Sequence, residues 1–288
     1  ASNPAIAVSR DQRPAMLIGA ALQPDQQPAR WDAHVAGYER VFEPLTDAFA
    51  ARALAMLGPL PDLALLDVAA GAGGAALLAA RQGAQVTAVD ASPAMAARIA
   101  VRASQAGLAV TTAVGDGMAL DLPDGAFDRG LSCFGVVLFP DPARGMAELH
   151  RIIRPGGRAA IVTWTQPHRY ELAARLRAAT VAVCGAPPSG DLPAQLRFID
   201  PDRLRGLLSD AGFRSIAVET VEAALHAPSA RELAASLAFA PGMAAMLDAL
   251  GSDRHAVLEA FTAQLLADGH TGGVSLGAVA HVAIGDRT

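Results

Sequence analysis

Gly71, Gly73 and Gly74 crowd a turn that follows the apolar run Leu65, Leu66 and Val68, and Asp90 closes the next apolar run, Val86 to Val89. Glycines at such a turn let the backbone bend tightly and bring bare N–H groups against a ligand at the start of a helix. An acid about 20 residues further on can accept hydrogen bonds from both hydroxyls of a ribose. Leu65 to Met95 therefore reads as strand, glycine turn, helix and strand, the layout of a nucleoside-binding half-fold. The nicotinamide version of that layout is disfavoured, because this turn lacks the third glycine of GxGxxG and carries Ala76 there.

Other groups able to do chemistry end later apolar runs. Asp116 follows segment 109–114, and Ser132 and Cys133 close segment 127–133. In an open parallel sheet the carboxyl ends of the strands face one crevice, so Gly71, Asp90, Asp116 and Ser132 converge despite their separation in sequence. Trp31, Tyr38 and Phe42 are spaced seven and four apart, which places them on one face of a helix able to cover the crevice. Tyr38 is the candidate there for a group that touches the reacting molecule, with ordinary helix packing as the alternative. Of the seven histidines, His168 in the loop from Trp164 to Tyr170 is the candidate base, with a surface histidine as the plainer reading. His34 on the covering helix and Glu43 just beyond it are also within reach of the crevice. His150 reads as structural, and His226, His255, His270 and His281 fall outside the crevice. Cys133 reads as a small packing residue, and no cluster has metal-ligand spacing.

These groups need a scaffold, and the apolar periodicity supplies one. From Trp31 to Leu57 the spacing predicts amphipathic helix interrupted near Pro44. Strands are predicted over 63–68, 85–89, 109–114, 127–133 and 157–164, with helices over 74–82, 93–106 and 141–153. Such alternation implies a parallel sheet with helices on both faces. Arg154, Pro155, Gly156 and Gly157 read as a breaker between helix and strand. A helix over 170–184 falls in a Pro- and Gly-rich insertion at about 165–200. A helix over 201–212, a strand over 214–224, a helical stretch at about 228–270 and a last strand over 278–284 follow. Three parts result: a flexible arm over 1–29, capping helices over 30–60, and a main domain over 61–288 that carries both insertions.

Composition narrows the field further. The chain has 288 residues, a formal charge of -5 and 5 % aromatic residues, and all 23 of its basic residues are arginine. This balance gives no electrostatic reason to expect nucleic acid or an anionic membrane as partner. Two cysteines are too few for a disulfide framework, and no run reaches the length of a membrane span, so a cytoplasmic protein is expected.

The same residues resemble those of the class I S-adenosylmethionine-dependent methyltransferases, particularly the branch similar to ubiquinone and menaquinone biosynthesis methyltransferases. The segment Asp67-Val-Ala-Ala-Gly71-Ala-Gly73 resembles the loop that wraps the amino acid end of the cofactor in that family. Asp90 matches the ribose-binding acid, and Met95 matches a position bordering the adenine. Gly115-Asp116-Gly117-Met118 is similar to the family's adenine-binding segment, Phe127 to Phe134 to its fourth strand, and Glu148 to Gly157 to its helix and turn before the fifth strand. The resemblance implies an α/β fold: a Rossmann-like, seven-stranded, mostly parallel sheet with helices on both faces, an antiparallel final strand and a helical lid. It implies S-adenosyl-L-methionine as cofactor, held by Asp67, Ala69, Gly71, Gly73, Asp90, Ala91, Met95, Asp116, Gly117, Met118, Ser132 and Phe134. The apolar lid points to a small hydrophobic or aromatic methyl acceptor, taken by a monomer or homodimer, with Tyr38, His168 and His34 as candidates near it. Two alternatives accompany this reading: the same fold using the cofactor for a cyclisation or elimination, and a cofactor-binding accessory protein.

Overall fold

The computed structural model describes residues 21–187 and 192–288. Seven strands form one sheet in the order β3-β2-β1-β4-β5-β7-β6. They are β1 Ala64–Val68, β2 Gln85–Asp90, β3 Val110–Val114, β4 Phe127–Cys133, β5 Ile153–Trp164, β6 Arg214–Ala227 and β7 Val274–Asp286. β1 to β5 run parallel, and β7 lies antiparallel between β5 and β6, as the resemblance implies for the last strand. The strand order reverses on either side of β1, which has β2 on one flank and β4 on the other. A ligand crevice belongs at the carboxyl ends of that pair.

The core has two layers because each central strand alternates its side chains between faces. Leu65 joins the cluster beneath helices α1 Glu43–Leu57, α2 Gly74–Arg81 and α3 Pro93–Ala106, whereas Leu66 and Val68 join the cluster under α4 Pro142–Ile152 and α6 Pro201–Asp210. Asp67 shares its face with Leu65, so the strand aims a carboxylate under α1. Helix α5 Glu171–Cys184 packs on β7 and on α9 Arg254–Ala267, and the short helices α7 Ala230–Ala235 and α8 Pro241–Ala249 lie between β6 and α9 in the chain. The two insertions thus build a common helical layer instead of separate additions. No helix among the described residues is long and apolar enough to cross a membrane.

Four local features differ from the sequence expectation. The RPGG segment does not break the chain: β5 already starts at Ile153, paired with Phe127 across a register shift. Gly156 takes φ +78 there, and the backbone of Arg287 closes the turn through bonds of 2.7 and 2.9 Å to Gly156 and Gly157. β7 starts at Val274, because the end of β6 stays paired with it through Ala227. The interruption at Pro44 is a π-helical turn over Tyr38–Phe42 that ends where α1 begins. Pro44 has no N–H to offer the preceding turn, which widens instead of breaking.

The fourth difference concerns the arm expected over 1–29. Residues 1–20 lie outside the described residues, but 21–29 are docked. The Gln23 side chain donates to the Leu192 carbonyl and accepts the Ala194 N–H, Asp25 accepts the Gly242 N–H at 2.7 Å, and Gln26 donates to the Leu138 carbonyl. The capping segment is equally anchored at its other end, where Phe49, Leu54 and Leu57 of α1 are fully buried.

Candidate active site

The glycine turn between β1 and α2 takes the strained shape that its residues permit. Ala69, Gly71 and Gly73 all have positive φ, at 57, 57 and 95°. Gly73 is required twice over, since a Cβ would also press on Ile99 of α3 at 2.9 Å. Ala69 and, at the end of β4, Phe134 (φ 62) adopt the left-handed region without being glycine, a cost of order 1–3 kcal/mol each that clusters at functional sites. Both flank the crevice between β1 and β4. Ser132 ties these strand ends together: its hydroxyl donates to the Val68 carbonyl at 2.9 Å and accepts the Val136 N–H at 3.0 Å.

Asp90 ends β2 with its carboxylate facing the turn. One oxygen accepts the Gly71 N–H and the other the Ser92 N–H, each at 2.8 Å. Burial pushes its pKa up to about 6 against the pull of those amides, and Asp32 nearby adds to the rise. Asp32 in turn accepts from the Ser92 hydroxyl at 2.6 Å and the Ala94 N–H at 3.1 Å, which fastens the capping segment to the start of α3. Met95 is buried beside this cap, and Asp116 folds its own loop by accepting the Met118 N–H at 2.8 Å. Gly117 lies so close to Phe139 and Val68 that no Cβ fits.

Under α1 lies a polar cavity of about 20 Å³, whose lining includes Tyr38, Glu43, Thr46, Asp47, Asp67, Gly74 and Cys133. That volume holds about one water. Asp67 is 1 % exposed, and neither carboxylate oxygen has a hydrogen-bond partner. Burial pushes it up to about 7, reinforced by Asp90, Asp47 and Glu43; the Ala76 N–H softens the rise without meeting hydrogen-bond geometry. Asp47 is likewise raised to about 7 by burial and by Glu43. Glu43, 3 % exposed, is raised by burial against the pull of Arg102, its partner at 2.7 Å. Acids outnumber bases here, so the cavity is complementary to a cation.

An aromatic cluster extends from Tyr38, whose ring lines the cavity. Tyr38 lies over Gly71, with a ring carbon 3.3 Å from where a Cβ would stand, and its hydroxyl is 3.5 Å from that of Thr46. Trp31 and Phe42 meet the Tyr38 ring edge-on, Phe42 stacks on Phe239 at 4.8 Å, and Trp164 stacks on Phe134 at 4.3 Å and on Tyr170 at 4.7 Å. The Tyr170 hydroxyl is buried without a partner. Burial holds the Tyr38 and Tyr170 phenols and the Cys133 thiol well above their ordinary pKa, so all three stay protonated.

The structure thus brings Tyr38 together with Asp67, Gly71 and Asp90, whereas the two histidine candidates stand apart. His168 lines a separate open groove with Glu171, Glu222 and Gly277, and His34 points its Nδ1 at the Ala238 carbonyl, 3.1 Å away. Sequence reading missed Asp47, Thr46 and Arg102. Glu39, Glu43 and Asp47 form an i, i+4, i+8 acidic stripe on the capping helix, facing Arg98 and Arg102 on α3, and that spacing was the available signal. Arg98 grips Glu39 with two bonds of 2.6 and 2.7 Å.

Comparison with known proteins decides what this arrangement is. The profile of the methyltransferase domain family matches residues 66–161, from Leu66 in β1 to Ile161 in β5. A demethylmenaquinone methyltransferase of Thermus thermophilus is 33 % identical over 161 residues, covering 52 % of this chain and 73 % of that protein. The chain belongs to the S-adenosylmethionine-dependent methyltransferases. An uncharacterised Mycobacterium tuberculosis protein is 36 % identical over 148 residues, and the chain spans only 54 % of its length. A solved putative methyltransferase of Bacillus halodurans shares the fold at a TM-score of 0.55 and 17 % identity, with 83 % of this chain and 99 % of that one covered.

The family's cofactor is S-adenosylmethionine, and the residues present fit it. Asp67 is a buried acceptor with no partner in the fold, as a site for an ammonium group requires. Asp90 retains lone pairs beyond its two amide bonds, and the Gly71 surface admits a ligand once the Tyr38 ring moves aside.

Proposed function

We propose that this methyltransferase moves the sulfonium methyl of S-adenosylmethionine to O, N or C of a small, largely apolar or aromatic acceptor. The observation that carries this reading is the unpartnered Asp67 carboxylate in the polar cavity beside the glycine turn, lined by the Tyr38 ring. The cofactor supplies an already activated methyl group. The chain's own residues would have positional work: Asp90 would hold two ribose hydroxyls, Asp67 and Asp47 would face the ammonium group, and the rings of Tyr38, Phe134 and Trp164 would exclude water. Aromatic faces also favour a cation more than they favour the neutral product of transfer. Tyr38 and Tyr170, held protonated, act as hydrogen-bond donors toward an acceptor and not as bases. The likeness to demethylmenaquinone methyltransferases supports a quinol-like or phenolic acceptor. Two free cysteines fit a reducing compartment, and we place the enzyme in the cytoplasm.

The test is mass spectrometry of the wild-type protein with S-adenosylmethionine and a panel of small phenols, quinols and amines. Release of S-adenosylhomocysteine together with a methylated acceptor is expected. A product rearranged without gaining a methyl group, or no consumption of any acceptor although the cofactor binds, would overturn the assignment.

A further inference from the structure

Glu43 sits where a negatively charged ligand belongs. Its carboxylate accepts the N–H of Gly74, the first residue of the eight-residue helix α2, at 3.0 Å and pairs with the Arg102 guanidinium at 2.7 Å. The same guanidinium nitrogen donates to the Ala72 carbonyl at 2.7 Å, so Arg102 is anchored on the glycine turn itself. A helix start, its first amide and a guanidinium together make a strong carboxylate seat. Across the same cavity the Asp67 carboxylate is buried and unpartnered, an open position for a cation. A seat for an anion beside an unmet acceptor is complementary to the zwitterionic end of an α-amino acid.

We propose that Glu43 is an internal stand-in for the cofactor's carboxylate: it occupies the seat formed by Arg102 and the Gly74 amide, and the incoming carboxylate displaces it. The inference rests on the methyl-donor reading above. Its physical content is competition, since two carboxylates cannot share one guanidinium and one amide. The displaced group lies on the segment that also lays Tyr38 over Gly71, and the π-helical turn between Tyr38 and Phe42 joins the two positions.

The experiment is calorimetric titration of wild type, Glu43→Gln and Arg102→Met with two ligands, S-adenosylhomocysteine and 5′-methylthioadenosine. The second carries the same nucleoside thioether without the amino acid end. Glu43→Gln should bind S-adenosylhomocysteine about five- to tenfold more tightly, because a neutral amide yields the seat more readily than a carboxylate. Arg102→Met should bind it about tenfold more weakly. Methylthioadenosine should bind all three proteins alike, which also reports that the variants are folded; if Arg102→Met does not fold, Glu43→Gln decides alone. Unchanged or weaker binding of S-adenosylhomocysteine by Glu43→Gln, or an equal shift for both ligands, overturns the proposal. A wild type that binds neither ligand overturns the methyl-donor reading first, and this inference with it.

Discussion

Replacing Asp67 by asparagine should stabilise the empty protein at alkaline pH while weakening its hold on the cofactor. Asp67 is pushed from 3.8 to about 7 by burial and by the carboxylates of Asp90, Asp47 and Glu43. The folded chain therefore binds this proton more tightly than the unfolded chain, and that contribution is lost as pH rises through the folded value. A rise of about 3 in pKa, at about 1.4 kcal/mol each, sets a ceiling near 4 kcal/mol for the cost of the charged group at pH 8. At pH 5 the same linkage leaves less than about 2 kcal/mol. An asparagine amide in a site without partners costs about 1–2 kcal/mol at either pH. Asp67→Asn should then be near neutral at pH 5 and more stable by about 2 kcal/mol at pH 8, a gain of about 4–6 °C in melting temperature. His150 and His281 are also held below their ordinary pKa by burial. They are common to both proteins and cancel in the difference, which reads Asp67 together with its coupling to Asp90 and Asp47, raised to about 6 and about 7. Thermal melts of both proteins from pH 5 to 8 provide the measurement. A variant whose stability relative to wild type does not change with pH would refute the reasoning, because it would show that the fold itself holds Asp67 charged.

Cofactor affinity should rise between about pH 5.5 and 8 as Asp90, Asp67 and Asp47 lose their protons, with Glu43 from α1, Asp32 from the capping segment, Arg102 from α3 and Arg81 from α2 as the other charges facing them. Calorimetry at the two ends of that range checks it, and a flat profile would count against a cationic ligand beside these acids. Gly74→Ala should lower stability by about 1–3 kcal/mol in a denaturant titration, since its Cβ would overlap the Asp47 carboxylate and stand 2.9 Å from the Glu43 carboxyl carbon. Phe49→Ala, in the fully buried half of α1, should cost about 3–5 kcal/mol and lower one cooperative transition; a separate early transition would mean that the capping helix folds independently.

The scaffold was legible in the sequence because its signals are local. The glycines at 71, 73 and 74, the acid at 90 and the alternation of apolar runs with helical periods each need only a few neighbours to be read. What escaped reading depends on partners far along the chain. The extension of β5 to Ile153 needs the backbone of Arg287, and the docking of Gln23 and Asp25 needs Leu192, Ala194 and Gly242. The acidic stripe of Glu39, Glu43 and Asp47 was masked by the apolar period of the same helix, which accounted for that segment on its own. Its meaning appears only when Arg98 and Arg102 face it across the fold. The histidines show the converse: His168 follows β5 in sequence as a base should, yet the loop carries it to a groove that the glycine turn does not share.

The central claim is that Asp90 and the turn at Gly71 form the binding site of a nucleoside cofactor. Calorimetric titration of S-adenosylhomocysteine into wild type and Asp90→Ala tests it most directly. Loss of two hydrogen bonds to a carboxylate, about 1.5–3 kcal/mol each, predicts binding by wild type and an affinity at least about 100-fold lower in the variant. Equal affinities, or no binding by the wild-type protein, would contradict the account.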